Sequence, residues 1–251
     1  MKTLKYKCTL LSDIILTQNA GTKTQQGTLD FIPGNAFLGI AASKLYGTLS
    51  QEESLEMFHS GHVRFGDAHP LSGNIRSLRI PAVYYYKKGE NLFDDGAYIM
   101  YKWNPGDAQP KQCRSGFYTF DNDSALDKSV AIKSAYDRDK RRSKGEQMYS
   151  YESLRKGLEL GFEVEIDNDS LEKAINEALI GKRHIGHSKT SQYGLVEITA
   201  DEEFVTFNSR NVGTGDFATV YADGRLIFID KDSGMPTFQP TAEDLGFESN
   251  A

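Results

Sequence analysis

Between residues 158 and 181 the hydrophobic period of the chain changes once, and that change limits the folds open to it. Leu158, Leu160, Phe162, Val164 and Ile166 alternate with polar neighbours such as Glu159, Glu163 and Glu165. This period of two belongs to a strand with one buried face. Leu171, Ala174, Ile175, Ala178 and Leu179 then recur at i, i+3, i+4, i+7 and i+8, the stripe of a helix that packs by one side. Asp169 or Ser170 is the expected N-cap, Asp169 with Glu172 resembles a capping box, and Gly181 ends the helix.

The same unit is written earlier in the chain. Leu4, Tyr6, Cys8 and Leu10 alternate as a strand, and a polar Gly/Thr/Gln stretch over 18–28 reads as a loop. After Ile32-Pro33-Gly34, with Asn35 as the expected N-cap, Phe37, Leu38, Ala41, Ala42 and Leu45 predict a helix that Gly47 stops. Leu78 to Tyr86 alternates as another strand. Residues 87–127 are weakly patterned and predict one short strand around Phe117–Phe120, with loops. The stretch 128–144 shows no sustained period. Leu195–Ile198 predicts a strand, and Asp223-Gly224 between Thr219–Ala222 and Arg225–Phe228 predicts a hairpin with a type I′ turn. The order of elements is the split βαβ pattern. The expected fold is α+β, a ferredoxin-like (RRM-like) antiparallel sheet with two helices, long insertions and a C-terminal β-hairpin extension. Residues 1–200 form the expected domain and 201–251 the extension.

Composition excludes several classes. No apolar run in the 251 residues approaches the ~20 needed to span a membrane, and no secretory h-region follows Met1. Two cysteines, Cys8 and Cys113, exclude a disulfide framework or a Cys-rich zinc site and suit free thiols in a reducing cytoplasm. The net charge of -6 conceals an uneven distribution. Residues 201–251 hold ten acids against Arg210, Arg225 and Lys231, a balance of -7, which leaves the first 200 residues at +1. Within those, 128–144 carries seven bases against Asp137 and Asp139, a local +5.

Two segments carry candidate chemistry. In 181–194, Gly181, Gly186 and Gly194 allow close backbone approach, and Lys182, Arg183, His184, His187, Ser188, Lys189 and Tyr193 suit phosphates and bases, with no acid in fourteen residues. Gly181 and Gly186 have the separation of a P-loop. His187, however, stands where the lysine belongs, and the order is helix–loop–strand, which excludes nucleotide hydrolysis. The second segment, from Lys133 to Gly145, contains Arg138, Lys140, Arg141 and Arg142, interleaved with Tyr136 and followed by Tyr149 and Tyr151. His59, His62 and His69 lack a fourth metal ligand. Asp230-x-Asp232-x-Gly234 lacks the closing glutamate of a calcium loop and reads as a turn. No cofactor or metal is expected.

Several motifs resemble those of the RAMP superfamily of CRISPR-associated proteins. Ile32-Pro33-Gly34-Asn35-Ala36-Phe37-Leu38-Gly39 is similar to its helix start. Tyr136-Asp137-Arg138 with Glu146–Glu152 is similar to its Asp-Arg segment, and 181–194 to its Gly-rich loop. Ser191–Gly194 and the stretch from Tyr221 to Thr237 most resemble the RAMP subunit of subtype III-D effectors, in the group that caps the 5′ handle of the guide. The resemblance implies a CRISPR-RNA-binding, non-catalytic subunit of a type III RNA-guided antiviral effector complex. Its partners would be CRISPR RNA, other RAMP subunits and the large polymerase-like subunit. Members of that group are longer, so the resemblance also implies an N-terminal fragment or a split subunit. Target cleavage is not implied, because residues 18–28 hold no acid. Two alternatives stay open. One is a metal-independent endoribonuclease that processes precursor CRISPR RNA, with His184 or His187 as acid–base; the other is a protein-only scaffold.

Overall fold

The computed structural model describes residues 1–18, 25–80, 84–89, 109–114, 116–118, 123–124, 126–187, 192–206, 227–237 and 239–241. The chain divides into two compact units, Met1–Ser209 and Arg210–Ala251.

The first unit is built on strand β1 (Lys2–Leu10), whose Leu4, Tyr6, Cys8 and Leu10 are all buried, as the alternation requires. Helix α1 (Gly34–Leu45) and helix α2 (Gln51–Phe58) follow. Next come β2 (Val63–Phe65), β3 (His69–Ser72) and β4 (Ile75–Arg76). A long hairpin, β5 (Lys128–Asp137) and β6 (Arg142–Leu154), leads to β7 (Glu159–Ile166). A 3-10 turn (Asp169–Leu171) opens α3 (Glu172–Leu179), which runs into β8 (Gly181–His184). Strand β9 (Leu195–Ala200) and the short β10 (Val205–Thr206) complete the unit.

Among the described residues the main sheet has the order β8-β9-β1-β7-β3-β4-β10, with β2 also paired to β7. Strand β1 is antiparallel to both β7 and β9, and β7 to β2. The register puts like faces together. Tyr6 lies opposite Phe162, Leu4 opposite Val164, and Cys8 opposite Leu160 on one side and Ile198 on the other. Helices α1 and α3 cover this face. Phe37 of α1 stacks on Phe162 with centroids 3.7 Å apart, Phe162 stacks on Tyr6 at 5.1 Å, and the Tyr6 hydroxyl donates to Asn176 Oδ1 of α3 at 2.7 Å. Burying a side chain of this size stabilises the fold by about 1.5–3 kcal/mol. The opposite face carries ion pairs, Lys7–Glu159 at 3.6 Å and Arg64–Glu165 at 3.0 Å. Phe204, itself buried, closes over Gly161 on that face. The architecture is thus mixed α+β, one large sheet with few helices.

Several expectations are corrected in detail. Pro33, not Asn35, is the N-cap of α1, and the Gly34 amide donates to Asp67 Oδ1 at 2.7 Å, so a distant side chain supplies the capping acceptor. Asn168 caps the α3 region, one residue before the expected Asp169, accepting from the Ser170 amide at 3.0 Å. Helix α2 is additional, and its capping box of Ser50 and Glu53 was present in the sequence. The expected strand from Leu78 to Tyr86 is two short ones. Leu78–Arg79 pairs with Phe117–Tyr118, and Tyr85–Lys87 pairs with Pro110–Gln112. Residues 81–83, between the two, lie outside the described residues. The aperiodic stretch 128–144 is mostly the β5–β6 hairpin, and the first four residues of the Gly-rich segment are strand β8, not loop.

In the second unit, β11 (Phe228–Ile229) pairs with β12 (Pro236–Thr237). Between them Asp230 Oδ1 accepts from the Ser233 amide and hydroxyl, each at 2.7 Å, which is the expected turn. Thr219–Ala222 and the Asp223-Gly224 turn lie outside the described residues.

Candidate nucleic-acid interface

Beyond Leu10 the chain leaves β1 and runs on as a strap, residues 11–17, along one end of the sheet. On one side the strap holds the Gly-rich segment. The Leu11 and Ser12 amides donate to Leu195 O at 2.9 and 3.1 Å, the Gly194 amide to Asp13 O at 2.9 Å, and the His187 amide to Ile15 O at 2.9 Å. On the other side it holds the root of the β5–β6 hairpin, where Ile14 and Leu154 exchange backbone bonds of 3.0 and 2.8 Å. Two segments separated in sequence by all of β7 and α3 are thereby brought onto one short support.

Their side chains meet. Lys133 of β5 places its ammonium 4.8 Å from the centre of the Tyr193 ring and 6.0 Å from that of Tyr151. Tyr151 lies 5.8 Å from the His187 ring and 5.3 Å edge-on from Tyr149. Register explains why these residues share a face: Lys133 is opposite Tyr149 and Ala131 is opposite Tyr151. The result is a cation set among aromatic rings, with His187 and Tyr149 exposed beside it. Lys128, nearer the root, is instead neutralised by Glu152 at 3.4 Å.

Gly186 shows why the segment needs a glycine. Its φ is +85°, and a Cβ there would sit 2.4 Å from Ile15 O, inside the strap. Any side chain would push the loop off its support. Gly181 (φ +102°) begins β8, and Gly194 is buried beneath the strap.

The other expected residues separate into three groups. Arg183 is spent on the body: its guanidinium donates to Ala178 O and Lys182 O at 2.8 Å, to Glu177 O at 3.3 Å, and to Ile180 O. It thereby satisfies carbonyls that the end of α3 leaves open. Nearby Lys44 is held below its ordinary pKa, first by burial and then by the charge of Arg183. Lys182 and His184 are exposed on β8, an edge strand. Arg138, Lys140, Arg141 and Arg142 cluster, all exposed, at the tip of the hairpin, where Asp137 Oδ1 accepts from the Asp139 and Lys140 amides at 3.1 Å each. The tip lies four residues beyond Lys133, about 13 Å along the strand. Ser188 and Lys189 lie outside the described residues.

Lys133 is the residue whose importance the sequence conceals. It opens the basic run, and only the register of the hairpin distinguishes it from the cations at the tip. Among the described residues no group of three His, Cys, Asp or Glu is placed to hold a metal, and no helix is long and apolar enough to cross a membrane.

No family model matches the chain, and no curated protein matches it. Solved structures do resemble it. A chain of the type III-B Cmr-beta complex bound to cognate target RNA is 13% identical over 79% of this chain, with a TM-score of 0.45. This chain spans 59% of that one. A chain of apo Cmr-beta is 10% identical over 81% of this chain and 98% of its own length, with a TM-score of 0.48. Pyrococcus furiosus Cmr4 (Cas7) is 14% identical over 80% of this chain and 100% of its own, with a TM-score of 0.38. At these identities and scores the likenesses carry no functional argument.

Proposed function

We propose that this chain is an RNA-binding, non-catalytic subunit of a type III CRISPR effector, with a RAMP body of ferredoxin-like topology. The strand order β9-β1-β7-β2, antiparallel throughout and covered on one face by α1 and α3, supports that topology. The finer reading, a subtype III-D subunit at the 5′ handle, rests on the motif resemblance alone. So do its partners (CRISPR RNA, other RAMP subunits and the polymerase-like subunit), while a place in the cytoplasm is supported by the free thiols of Cys8 and Cys113. Residues 1–200 would bind RNA, and the acidic extension 201–251 would face a protein.

One observation carries the RNA reading. The two segments chosen separately for RNA chemistry meet at Lys133, Tyr151, His187 and Tyr193. Lys133 offers one charge for a phosphate, and the exposed Tyr149 with the half-buried Tyr151 offers π-faces for unpaired bases, the combination that single strands need; Tyr193 is buried and supports the lysine from below. Lys182, His184 and the tip cations would extend the track in either direction, with Lys189.

The test is fluorescence anisotropy with a labelled single-stranded RNA across a salt series. Binding should weaken steeply with salt, and Lys133→Ala should weaken it about three- to tenfold and reduce the slope by about 0.7, one phosphate contact on a single strand. Absence of RNA affinity, alone and in the complex, sinks the reading and leaves a scaffold. Cleavage of the RNA in EDTA, abolished by His187→Ala, replaces it with a ribonuclease.

A further inference from the structure

Asp13 lies in the strap between the two halves of the site and accepts hydrogen bonds from both. Its main-chain oxygen takes the Gly194 amide at 2.9 Å. Its side chain faces the hairpin root. Oδ2 accepts from the Ser129 hydroxyl of β5 at 3.0 Å, with the Ser153 hydroxyl of β6 3.4 Å away, while Oδ1 accepts from the Lys156 amide at 2.9 Å. The two serine hydroxyls are 2.8 Å apart, so their two protons are shared between each other and Oδ2, and both strands of the hairpin close on one carboxylate.

An acid beside an RNA track is unfavourable unless its charge is used, because it repels phosphate. Here its oxygens meet the serine hydroxyl pair and the Lys156 amide, and hydrogen bonds to an ionised acceptor are the stronger kind. An asparagine offers one acceptor oxygen for the same donors. The hairpin needs such an anchor. Beyond its root none of its described side chains is buried, and Val130, Ile132 and Met148 are exposed, so packing does little to fix its angle. The position of Lys133 over Tyr193 depends on that angle.

We propose that Asp13 is a positioning residue that locks the β5–β6 hairpin to the Gly194 side of the strap, so that Lys133 and Tyr151 act with His187 and Tyr193 as one composite site. The proposal rests on the RNA-binding reading for its consequence, but its geometry is tested separately.

The first measurement needs no RNA. In a nuclear magnetic resonance spectrum, Tyr151→Leu should shift the His187 ring protons in an otherwise native chain, because the Tyr151 ring lies 5.8 Å away. In an Asp13→Ala background the same change should leave them unmoved. The second is a double-mutant cycle in RNA affinity between Lys133→Ala and His187→Ala. With Asp13 the two losses should be non-additive by about threefold; without it they should multiply simply. Asp13→Ala alone should weaken RNA binding about tenfold, with Asp13→Asn between it and the parent. If Asp13→Ala does not fold, Ser129→Ala with Ser153→Ala removes the hairpin bonds and leaves the strap intact, and the same readouts apply. An unchanged His187 response and an unchanged coupling in these variants overturn the proposal. A parent chain that binds no RNA overturns the function instead, and the His187 response still decides the geometry.

Discussion

The body sheet and the β5–β6 hairpin are both antiparallel ladders, but different forces hold them. In β1 and β7 every inward side chain is buried, and two helices close over them. The hairpin has strands of ten and thirteen residues, each longer than β1 or β7, and among its described side chains only Ser153 and Leu154, at the root, are buried. Its apolar residues Val130, Ile132 and Met148 are on the outside. Burial fixes the first ladder and would resist almost any change within it. Backbone bonds and a polar root fix the second, which leaves its surface free for chemistry. A chain that needs a stable platform and an adaptable contact has made each from the same element.

The largest test of that contrast is Phe162→Ala. It removes the ring stacked between Phe37 and Tyr6 and should cost about 3–5 kcal/mol in urea unfolding; a cost near 1 kcal/mol would mean the body is not held by this packing. Next is alkaline pH. Burial pushes the Cys8 thiol from an ordinary 9 up to about 12, and burial also raises the Tyr6 hydroxyl. In both cases the folded pKa lies above the unfolded one, so stability is full below about pH 9 and falls as pH rises toward 12. Cys8→Val should flatten that decline. Gly186→Ala should cost about 1–3 kcal/mol, since it combines positive φ with the approach to Ile15 O. It should also weaken RNA binding more than global stability, because it displaces the loop from the strap. Smallest is Ile132→Thr on the exposed hairpin face, within about 0.5 kcal/mol in the same unfolding experiment. A cost above 2 kcal/mol would show that this face is buried in some assembly of the chain.

The same division governs what the residues disclosed in advance. Leu158 to Leu179 announced β7 and α3 because a one-sided core imposes a period that survives in composition, and β1, α1 and β9 were legible for the same reason. The hairpin escaped because no core filters its sequence. Val130, Ile132 and Tyr136 do alternate, but against Ala131, Lys133 and Ala135 and toward solvent, where charge at the tip outweighs pattern. Both segments of the candidate site were visible as concentrations of cations. Their meeting was not, because it depends on the strap, whose bonds are mostly made by main-chain atoms common to every residue. Arg183 illustrates the reverse error: in sequence it is one more cation, and only the carbonyls at the end of α3 show that it is already engaged.

One feature of the α3–β8 junction has a mechanical meaning. Leu179 ends the helix and Gly181 begins the strand, with Ile180 alone between them, and Arg183 reaches back to clamp the turn. There is no slack to take up. A pull applied at Lys182 or His184 is delivered directly to Ile175 and Leu179, which are seated in the core. The edge strand is therefore a rigid handle, and any load placed on it is borne by the platform itself.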